Sequence, residues 1–526
     1  MTLPDDFGMT AVRTLARVAD PTPAREHSVF WSHWLGAIDD AVPTLVERTQ
    51  SGTGVNAVDP SDETCTHAVA SLGGVRIGAR LVLPPKGIAI RGGVVSTHGY
   101  AVSTPIADRD SAFEPIAARG LAVLNIRVRG YAGSRLDTGD LQTQTEPGLG
   151  WITRGLDDPD PSSDGTMRWS YAGAVADVFQ ACRALRWWLA DRVVSTSEIF
   201  LHGESFGGGL ALPAAAKLEG RGHEHVRVGR LALALPTMGD WPWRHEHPIR
   251  GGSGAEVARL LERRADLADL IRLRLRLFDS VVHGARVRCP VLCKLATRDE
   301  IVPAPSAAAV FNAMRVDPGM KWRFVVPHGH AETGIANAKR HLEFERCMTD
   351  FLDPAKDPAK AMLGWSDRLH VEPDETEPSA SGSPGSLFGD DAESPDALEI
   401  AIATRYSQVG RTLDDLPYTD DFEQIWSSLA KATNTDRRGL FHKLHNMRKA
   451  GKLPRLGRAA GSPPKIEPDE EQVLARMIEA ELGSLGQRDR LPYTDAFDSI
   501  LERFCEQTGR TLSRHDCWRL IAKLAK

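Results

Sequence analysis

The sequence predicts an α/β fold with a mostly parallel sheet covered by helices, followed by an all-α module of two helix-turn-helix-like repeats. Three observations lead to this prediction. Short apolar runs alternate with helical patterns over the first 370 residues, an acidic segment rich in Pro, Ser and Gly follows, and a duplicated motif occupies the rest of the chain. We therefore expect a large α/β domain, a linker and a smaller helical region.

The α/β prediction rests on six apolar runs, each followed by a helical pattern or a loop. The runs are GGVVSTHG (92–99), LAVLNIRV (121–128), SEIFLHGES (197–205), RLALALP (230–236), CPVLCKLAT (289–297) and WRFVVPHG (322–329). Continuous apolar runs of this length are typical of strands that are buried on both faces of a sheet. We therefore expect parallel strands with helices on both sides.

Domain boundaries follow from composition. Residues 371–395 carry seven acidic side chains, no basic ones and many Pro, Ser and Gly residues. Such a segment cannot bury enough apolar surface to offset its ordering entropy, so we predict a flexible linker. The α/β domain is then 1–370, the first helical repeat 396–458 and the second 471–526, with a second linker at 459–470.

The C-terminal repeats are two copies of one motif. LPYTDDFEQIWSSL begins at residue 416, and LPYTDAFDSILERF begins at residue 491. Both copies place apolar residues at i, i+3, i+4 and i+7, which is one face of a helix, and a second helical pattern follows in each. We predict Asp436 and Ser513 as the N-caps of these second helices, with Asp516 completing a capping box.

The second helix of the first repeat continues into a basic tail. Residues 437–458 hold eight Lys or Arg residues and no acidic one. Such a face could neutralise nucleic-acid phosphates through Arg437, Arg438, Arg448 and Lys449. However, the second repeat is less basic and the formal net charge of the chain is −6, so we favour a protein partner over nucleic acid.

Composition places the chain among ordinary globular proteins. Hydrophobic residues make up 42% and charged residues 25% of the sequence, and no apolar run reaches 18 residues, so we expect no membrane contact. The N-terminus lacks a basic-then-apolar signal pattern, which predicts a cytoplasmic protein. The seven cysteines are scattered and odd in number, so we expect reduced thiols, and we expect neither a metal nor a cofactor.

One short motif indicates chemistry. HGESFGGGL at 202–210 contains the spacing G-x-S-x-G. Ser205 follows a predicted strand and precedes a predicted helix, which is the context of a nucleophile elbow. Gly203 and Gly207 would allow the sharp turn that raises the serine hydroxyl above the sheet. The alternative is a polar residue in a glycine-rich turn with no chemical role.

A serine nucleophile needs a base, and that base needs an orienting acid. Asp299 and His330 each follow a predicted strand, at the edge where parallel strands present a site. His328 is a competing base, because residues two apart lie on the same side of an extended segment. Sequence geometry leaves the two histidines open. The order serine, acid, histidine is the one that a nucleophile elbow uses.

The negative charge that forms on a carbonyl oxygen during acyl transfer needs hydrogen-bond donors. One is the backbone N–H of the residue after the nucleophile, Phe206, and another comes from a loop after an early strand. The sequence VVSTHGYAV offers the N–H of Tyr100 after a tight His98-Gly99 turn.

Eight stretches resemble the acetyl xylan esterase and cephalosporin C deacetylase family of α/β-hydrolases, over roughly residues 25–352. They are VFWSHWL, HGY, VRGYAGSRLD, GWITRGLDDPD, GESFGGGLAL, RLFDSVVHGARVRCPVL, RDEIVPAPS and GHAE. The resemblance implies Ser205 as nucleophile, Asp299 as orienting acid, His330 as base, and the two backbone N–H groups above as oxyanion donors. It favours His330 over His328 because the family's histidine follows a glycine and nearly precedes a glutamate.

The chain departs from the family pattern at three positions near these motifs. Pro213 interrupts the helix after the elbow, where we expect a kink. Phe206 stands where the family commonly has Gln, which predicts a more apolar pocket floor, and His283 stands where it has Asn. The C-terminal repeats lie outside the resemblance.

We therefore expect a serine carboxylesterase that hydrolyses a small, short-chain ester of the acetyl type through an acyl-enzyme, with repeats that bind a partner. Two alternatives share the same fold: a serine peptidase, and a regulated, defence-type effector hydrolase whose repeats sense a protein or nucleic acid. The resembled family includes hexamers, so homo-oligomeric assembly is also open.

Overall fold

The computed structural model describes residues 7–48, 62–371 and 402–524, with gaps inside these ranges. The gaps are 103, 135–149, 193, 195, 197, 220–224, 248, 250, 332–333, 403–404, 407–408, 410, 434–435, 450–452, 454–462, 483–487 and 489–490, and the side chains of 334–336, 428–433 and 449 are also left undescribed. The chain divides into two compact units, residues 1–332 with 340–379 and residues 380–526 with 333–339. The predicted linker at 371–395 lies, apart from residue 371, outside the described residues.

A single sheet forms the centre of the first unit in its described residues. Its strands are β1 Leu45–Glu47, β2 His67–Ala70, β3 Arg76–Val82, β4 Gly92–Thr97, β5 Leu121–Ile126, β6 Glu198–Glu204, β7 Arg227–Ala234, β8 Val291–Ala296 and β9 Lys321–Val326. The spatial order is β1-β2-β3-β5-β4-β6-β7-β8-β9. Every neighbouring pair from β5 to β9 is parallel, whereas β1, β2, β3 and β5 pair antiparallel.

The six apolar runs that predicted parallel strands are β4 to β9, so the predicted fold class is confirmed. The three antiparallel strands at one edge were not predicted. They are three to seven residues long, and several of their side chains are only half buried. Strands this short and mixed in polarity give too weak a pattern to be recognised.

Helices cover both faces of the sheet. They are α1 Ala11–Leu15, α2 His27–Asp40, α3 Asp110–Ala117, α4 Ser163–Met167, α5 Ser170–Ala190, α6 Phe206–Lys217, α7 Trp241–Glu246, α8 Gly252–Arg263, α9 Ala268–Leu277, α10 Ser280–Gly284, α11 Ala304–Ala313, α12 Gly334–Phe351 and α13 Pro358–Leu363. Successive strand residues point to opposite faces. Val95 accordingly packs in the core that contains α5 and α6, while Val94 packs in the core with α3 and α12. This two-sided burial explains why the central strands are mostly apolar.

The second unit is helical in its described residues. Its helices are α14 Asp420–Thr433, α15 Arg437–Lys449, α16 Pro468–Leu482, α17 Asp495–Thr508 and α18 Arg514–Leu524. The predicted caps are present: Asp436 Oδ1 accepts from Gly439 N at 2.7 Å, and Ser513 Oγ accepts from Asp516 N at 3.0 Å. Because α16 begins at Pro468, the last three residues of the predicted linker at 459–470 are helical.

The two repeats meet through equivalent tyrosines. Tyr418 N donates to Tyr493 Oη at 2.9 Å, and Tyr493 N donates to Tyr418 Oη at 2.7 Å. Tyr418 stacks on Phe497 with centroids 4.8 Å apart, and Tyr493 stacks on Phe422 at 4.7 Å. Side chains from both copies form one continuous apolar core. The repeats therefore pack as the two halves of a single helical body, within the one all-α module that the sequence predicted.

No helix among the described residues is both long enough and apolar enough to cross a membrane. All seven cysteines have free thiols, and all except the half-buried Cys505 are buried.

Candidate active site

Ser205 occupies the turn between β6 and α6. Its backbone has φ 53° and ψ −114°, a combination that an L-residue adopts only under constraint from its surroundings. The constraint is visible, because Ser205 N donates to Ala234 O at 2.7 Å and Ser205 O accepts from Thr237 N at 3.2 Å. These contacts with the end of β7 hold the serine at the carboxyl edge of the sheet, which is the geometry of a nucleophile elbow.

The two glycines of the motif are required by close packing. A Cβ on Gly203 would lie 2.4 Å from Gly207 O, and a Cβ on Gly207 would lie 2.5 Å from Thr97 Oγ1. Neither position has room for a side chain, so the sharp strand-to-helix turn needs glycine at both.

The structure brings Asp299 and His330 together. Asp299 follows β8, His330 follows the neighbouring β9, and His330 Nδ1 lies 2.8 Å from Asp299 Oδ2. Asp299 is 1% exposed, and its other oxygen accepts from the backbone N–H groups of Ile301 and Val302 at 3.0 and 2.8 Å. An ionised carboxylate only accepts hydrogen bonds, so Nδ1 carries the proton and Nε2 is left to accept one.

The electrostatic surroundings of His330 favour its protonated form. Burial acts to lower the pKa of His330, but the charge and hydrogen bond of Asp299, together with Glu204 and Glu300, outweigh it and raise the pKa above 6.5. A base with a raised pKa takes up a proton more readily, and the buried carboxylate stabilises the imidazolium that results.

His328, the competing base, is directed elsewhere. Its ring is buried, and its Nδ1 lies 2.8 Å from the carbonyl oxygen of Gly329. The imidazole that contacts Asp299 is therefore that of His330.

The two expected oxyanion donors lie on neighbouring elements. Phe206 is the first residue of α6, where backbone N–H groups have no partner within the helix. Tyr100 follows β4, which pairs with β6 so that Thr97 lies opposite Gly203. Both donors thus come from segments at the carboxyl edge of the sheet.

The Tyr100 loop is held by side chains that the sequence did not point to. Tyr131 Oη donates to Tyr100 O at 2.8 Å, and Tyr100 Oη donates to Glu256 Oε2 at 2.6 Å while accepting from Ile152 N at 2.9 Å. Burial raises the pKa of the Glu256 carboxyl. Glu256 lies on α8, 156 residues from Tyr100, and no local pattern could have linked them.

We expect Glu256→Ala to lower kcat/KM for a small ester about tenfold or more, since a hydrogen bond to a charged group contributes roughly 1.5–3 kcal/mol. Glu256→Gln keeps an acceptor for Tyr100 Oη and should lose less. The rate of fluorophosphonate labelling, measured beside ester hydrolysis, should follow the same order. Wild-type rates in Glu256→Ala would show that this hydrogen bond does not position the loop.

The side chain of Phe206 lies beneath the site. Its ring is fully buried, with edge-on contacts to Tyr100, Trp151 and Tyr171 at centroid distances of 5.4, 5.3 and 5.8 Å. Phe206 therefore packs within an aromatic cluster, at the position where the family commonly has Gln. Because its own ring is fully buried, the more apolar pocket floor that the sequence predicted would be formed by the rings that Phe206 contacts.

Two other stretches that resemble the family contribute buried polar contacts to the first unit. In VRGYAGSRLD, Arg129 forms an ion pair at 2.8 Å with the fully buried Asp177. In LFDSVVHGA, the buried Asp279 accepts from Asp240 N and Trp241 N at 3.0 and 3.2 Å. His283 is buried in the same region, with Nε2 3.1 Å from Leu277 O.

The basic residues of the first repeat are partly engaged in ion pairs. Arg437 binds Glu423 at 2.7 Å and stacks over Trp426 at 3.9 Å, and Arg448 binds Asp414 at 3.0 Å. In the second repeat, Arg514 and Asp498 repeat the Arg437–Glu423 pair at 2.8 Å. Arg437 is therefore part of the framework of the repeat. Arg438 is exposed, and the Lys449 side chain lies outside the described residues.

Comparison with known proteins places residues 25–347 in one family model, described as acetyl xylan esterase (AXE1). Acetyl xylan esterase 1 from Thermoanaerobacterium sp. JW/SL YS485 is 20% identical, with a TM-score of 0.48 and coverage of 64% of this chain and 98% of that one. Acetyl xylan esterase from Paenibacillus sp. R4 is 20% identical, with a TM-score of 0.49 and coverage of 64% and 99%. No curated protein sequence matches the chain. The family match does not extend to the C-terminal repeats.

Proposed function

The chain belongs to the acetyl xylan esterase family and is therefore a carboxylic ester hydrolase, and we propose that it cleaves short-chain, acetyl-type esters through an acyl-enzyme on Ser205. The observation that carries the proposal is the hydrogen bond between His330 and the buried Asp299, in loops that follow β8 and β9, at the same carboxyl edge of the parallel strands as the serine elbow after β6. A serine with this support can act as a nucleophile.

In the proposed reaction, Ser205 Oγ attacks the acyl carbon while His330 Nε2 takes the hydroxyl proton. The backbone N–H groups of Tyr100 and Phe206 donate to the oxygen that becomes negative. His330 then gives its proton to the departing alcohol, which leaves an ester between Ser205 and the acyl group. Water, deprotonated by His330, attacks this ester, and the carboxylic acid and the free serine are released.

The proposed preference for short acyl groups is supported by the bulky aromatic side chains around Phe206, the residue that follows the serine. Tyr100, Trp151 and Phe206 pack against one another there, and we infer a narrow acyl side. Acetyl esters should therefore be cleaved with a higher kcat/KM than octanoyl esters of the same alcohol. The measurement is a series of nitrophenyl esters from acetyl to octanoyl. A preference for octanoyl would indicate a lipase-like pocket and contradict the deacetylase proposal.

We further propose that the second unit binds a protein partner. The pairing of Arg437 with Glu423 and of Arg448 with Asp414 reduces the positive charge available to phosphates, which supports a protein over nucleic acid. Binding of nucleic acid to the second unit would instead weaken steeply with salt.

A fragment ending at residue 370 should fold and hydrolyse a small ester at close to the full-length rate. The cores of the first unit are complete by Leu369, and all the proposed catalytic residues precede it. The fragment 396–526 has its own apolar core, and should be helical and without esterase activity. Comparing kcat/KM of the shortened and full-length chains checks this. Loss of small-ester hydrolysis on truncation would favour the regulated effector, in which the repeats activate the site.

A further inference from the structure

A cleft of about 610 Å³ lies in the first unit between the start of α2, the end of α6 and the segment that follows α10. Arg25, Lys217 and Arg286 all line this cleft, and among the described residues that line it none is acidic. Its volume falls within the roughly 300–1,000 Å³ of small-molecule sites. The cleft is therefore large enough for a small ligand, and its charge favours an anion.

One residue that lines this cleft has a buried polar atom without a hydrogen-bond partner. His27, which lines the cleft, is 5% exposed, and its Nε2 makes no hydrogen bond within the described part of the chain. Nearly all buried polar side-chain atoms in proteins have a partner. Burial, with a smaller contribution from Lys217, Arg286 and Arg276, lowers the pKa of His27 to about 3. The imidazole is thus neutral, and these three basic side chains lie close enough to act on its pKa.

The amino end of a long helix adds to this arrangement. His27 and Ser28 are the first two residues of the 14-residue α2, and the side chain of Glu26 before them makes no capping hydrogen bond. Backbone N–H groups in a first turn have no partner within the helix and carry a partial positive charge. Such an end is suited to binding an anion when other groups support it.

Basic residues at the ends of α6 and α10 also have structural roles. Lys217 Nζ lies 5.0 Å from the centre of the Trp31 ring, and Arg286 Nη1 donates to Val282 O at 2.6 Å. Both are near helix carboxyl ends, where positive charge is stabilising. Each of these roles explains why a basic residue stands at that one position. They do not explain why three basic side chains and a helix amino end border one cleft, next to a buried histidine whose Nε2 has no partner.

We propose that this cleft binds a small organic phosphate, with the phosphate held by Lys217, Arg286, Arg25 and the first turn of α2. The site is distinct from that of the ester. α6 begins directly after Ser205 and ends at Lys217, so the two sites lie at opposite ends of a 12-residue helix about 18 Å long.

The test is calorimetric titration of the full-length protein with inorganic phosphate at constant ionic strength. We expect saturable binding, weakened about tenfold or more in Arg286→Gln and in Lys217→Gln, because each removes a charge-assisted hydrogen bond. Arg25→Gln, at an exposed position, should also weaken binding and does not disturb a packed side chain. Arg288→Gln is the matched control, since Arg288 is a nearby exposed arginine outside the cleft.

Labelling Ser205 with a fluorophosphonate separates this site from the catalytic one. Phosphate binding that survives labelling and that is lost in the cleft variants supports the proposal, whether or not the esterase proposal holds. The proposal is overturned if phosphate does not bind, if chloride competes equally, if labelling abolishes binding, or if Arg288→Gln weakens it as much as Arg286→Gln. Thermal unfolding of each variant shows whether a loss of binding reflects a loss of folding; if Lys217→Gln is destabilised, Arg25→Gln and Arg286→Gln decide.

Discussion

Ser205→Ala is expected to abolish fluorophosphonate labelling and to lower kcat for a small ester by at least about a thousandfold, because losing a triad member typically costs several orders of magnitude. The free energy of unfolding should change little. The hydrogen bonds that hold the elbow, from Ser205 N to Ala234 O and from Thr237 N to Ser205 O, involve only the backbone. Alanine tolerates the φ of 53° about as well as serine does.

Gly203→Ala is the matched contrast. Its added Cβ would lie 2.4 Å from Gly207 O, so the elbow must distort at a cost of about 1–3 kcal/mol. Both variants should lose activity, but only the glycine variant should also lose stability in denaturant unfolding. If Ser205→Ala retains more than a few per cent of wild-type turnover, Ser205 is not the nucleophile.

His330→Ala is expected to be as damaging as Ser205→Ala, whereas His328→Ala should lose far less activity per folded molecule. His330 contacts the buried Asp299, while His328 Nδ1 faces the carbonyl of Gly329. Members of one catalytic unit are not additive, so the double variant of Ser205 and His330 should match either single variant. Steady-state kinetics on one ester decides this. The reverse ranking of the two histidines would assign the base to His328.

The pH dependence of kcat/KM tests independently whether His330 is the base. Only neutral His330 can take the serine proton, and its pKa is raised because Asp299, Glu204 and Glu300 outweigh burial. We therefore expect kcat/KM to fall as the pH drops through a value above 6.5. Asp299→Asn removes the largest raising contribution, so the acid limb of the residual activity should move to lower pH. An unmoved limb would mean that another group titrates.

Local patterns were sufficient for the central strands and for the strand-to-helix turn at Ser205. Strands β4 to β8 are largely buried on both faces, so most of their residues are apolar and form short continuous apolar runs in the sequence. The edge strand β9 buries only alternate residues, but its run is also mostly apolar. The elbow is equally local, because the steric need for glycine at 203 and 207 arises from contacts within and next to the turn. The antiparallel strands β1 to β3 have several side chains that are only half buried. Their sequences therefore show no such apolar run.

The duplication of the helical motif, its apolar helix faces and its caps were also visible in the sequence. The joining of the two copies was not. Tyr418 and Tyr493 exchange hydrogen bonds across a separation of 75 residues, and the surface by which one copy packs on the other reads, in either copy alone, as an ordinary helix face. The sequence therefore predicted the two copies within one module, but not the contacts that join them.

By itself, the sequence determined the fold class, the serine at its strand-to-helix turn, and the chain order of serine, acid and histidine, since each depends on burial or turn geometry within a short segment. Only the tertiary structure decided which histidine meets Asp299 and which side chains hold the Tyr100 loop. His328 and His330 are two residues apart and chemically identical, and they differ only in what faces them. Glu256 reaches Tyr100 across 156 residues. Contacts of this kind are set by how the elements pack, which no local pattern records.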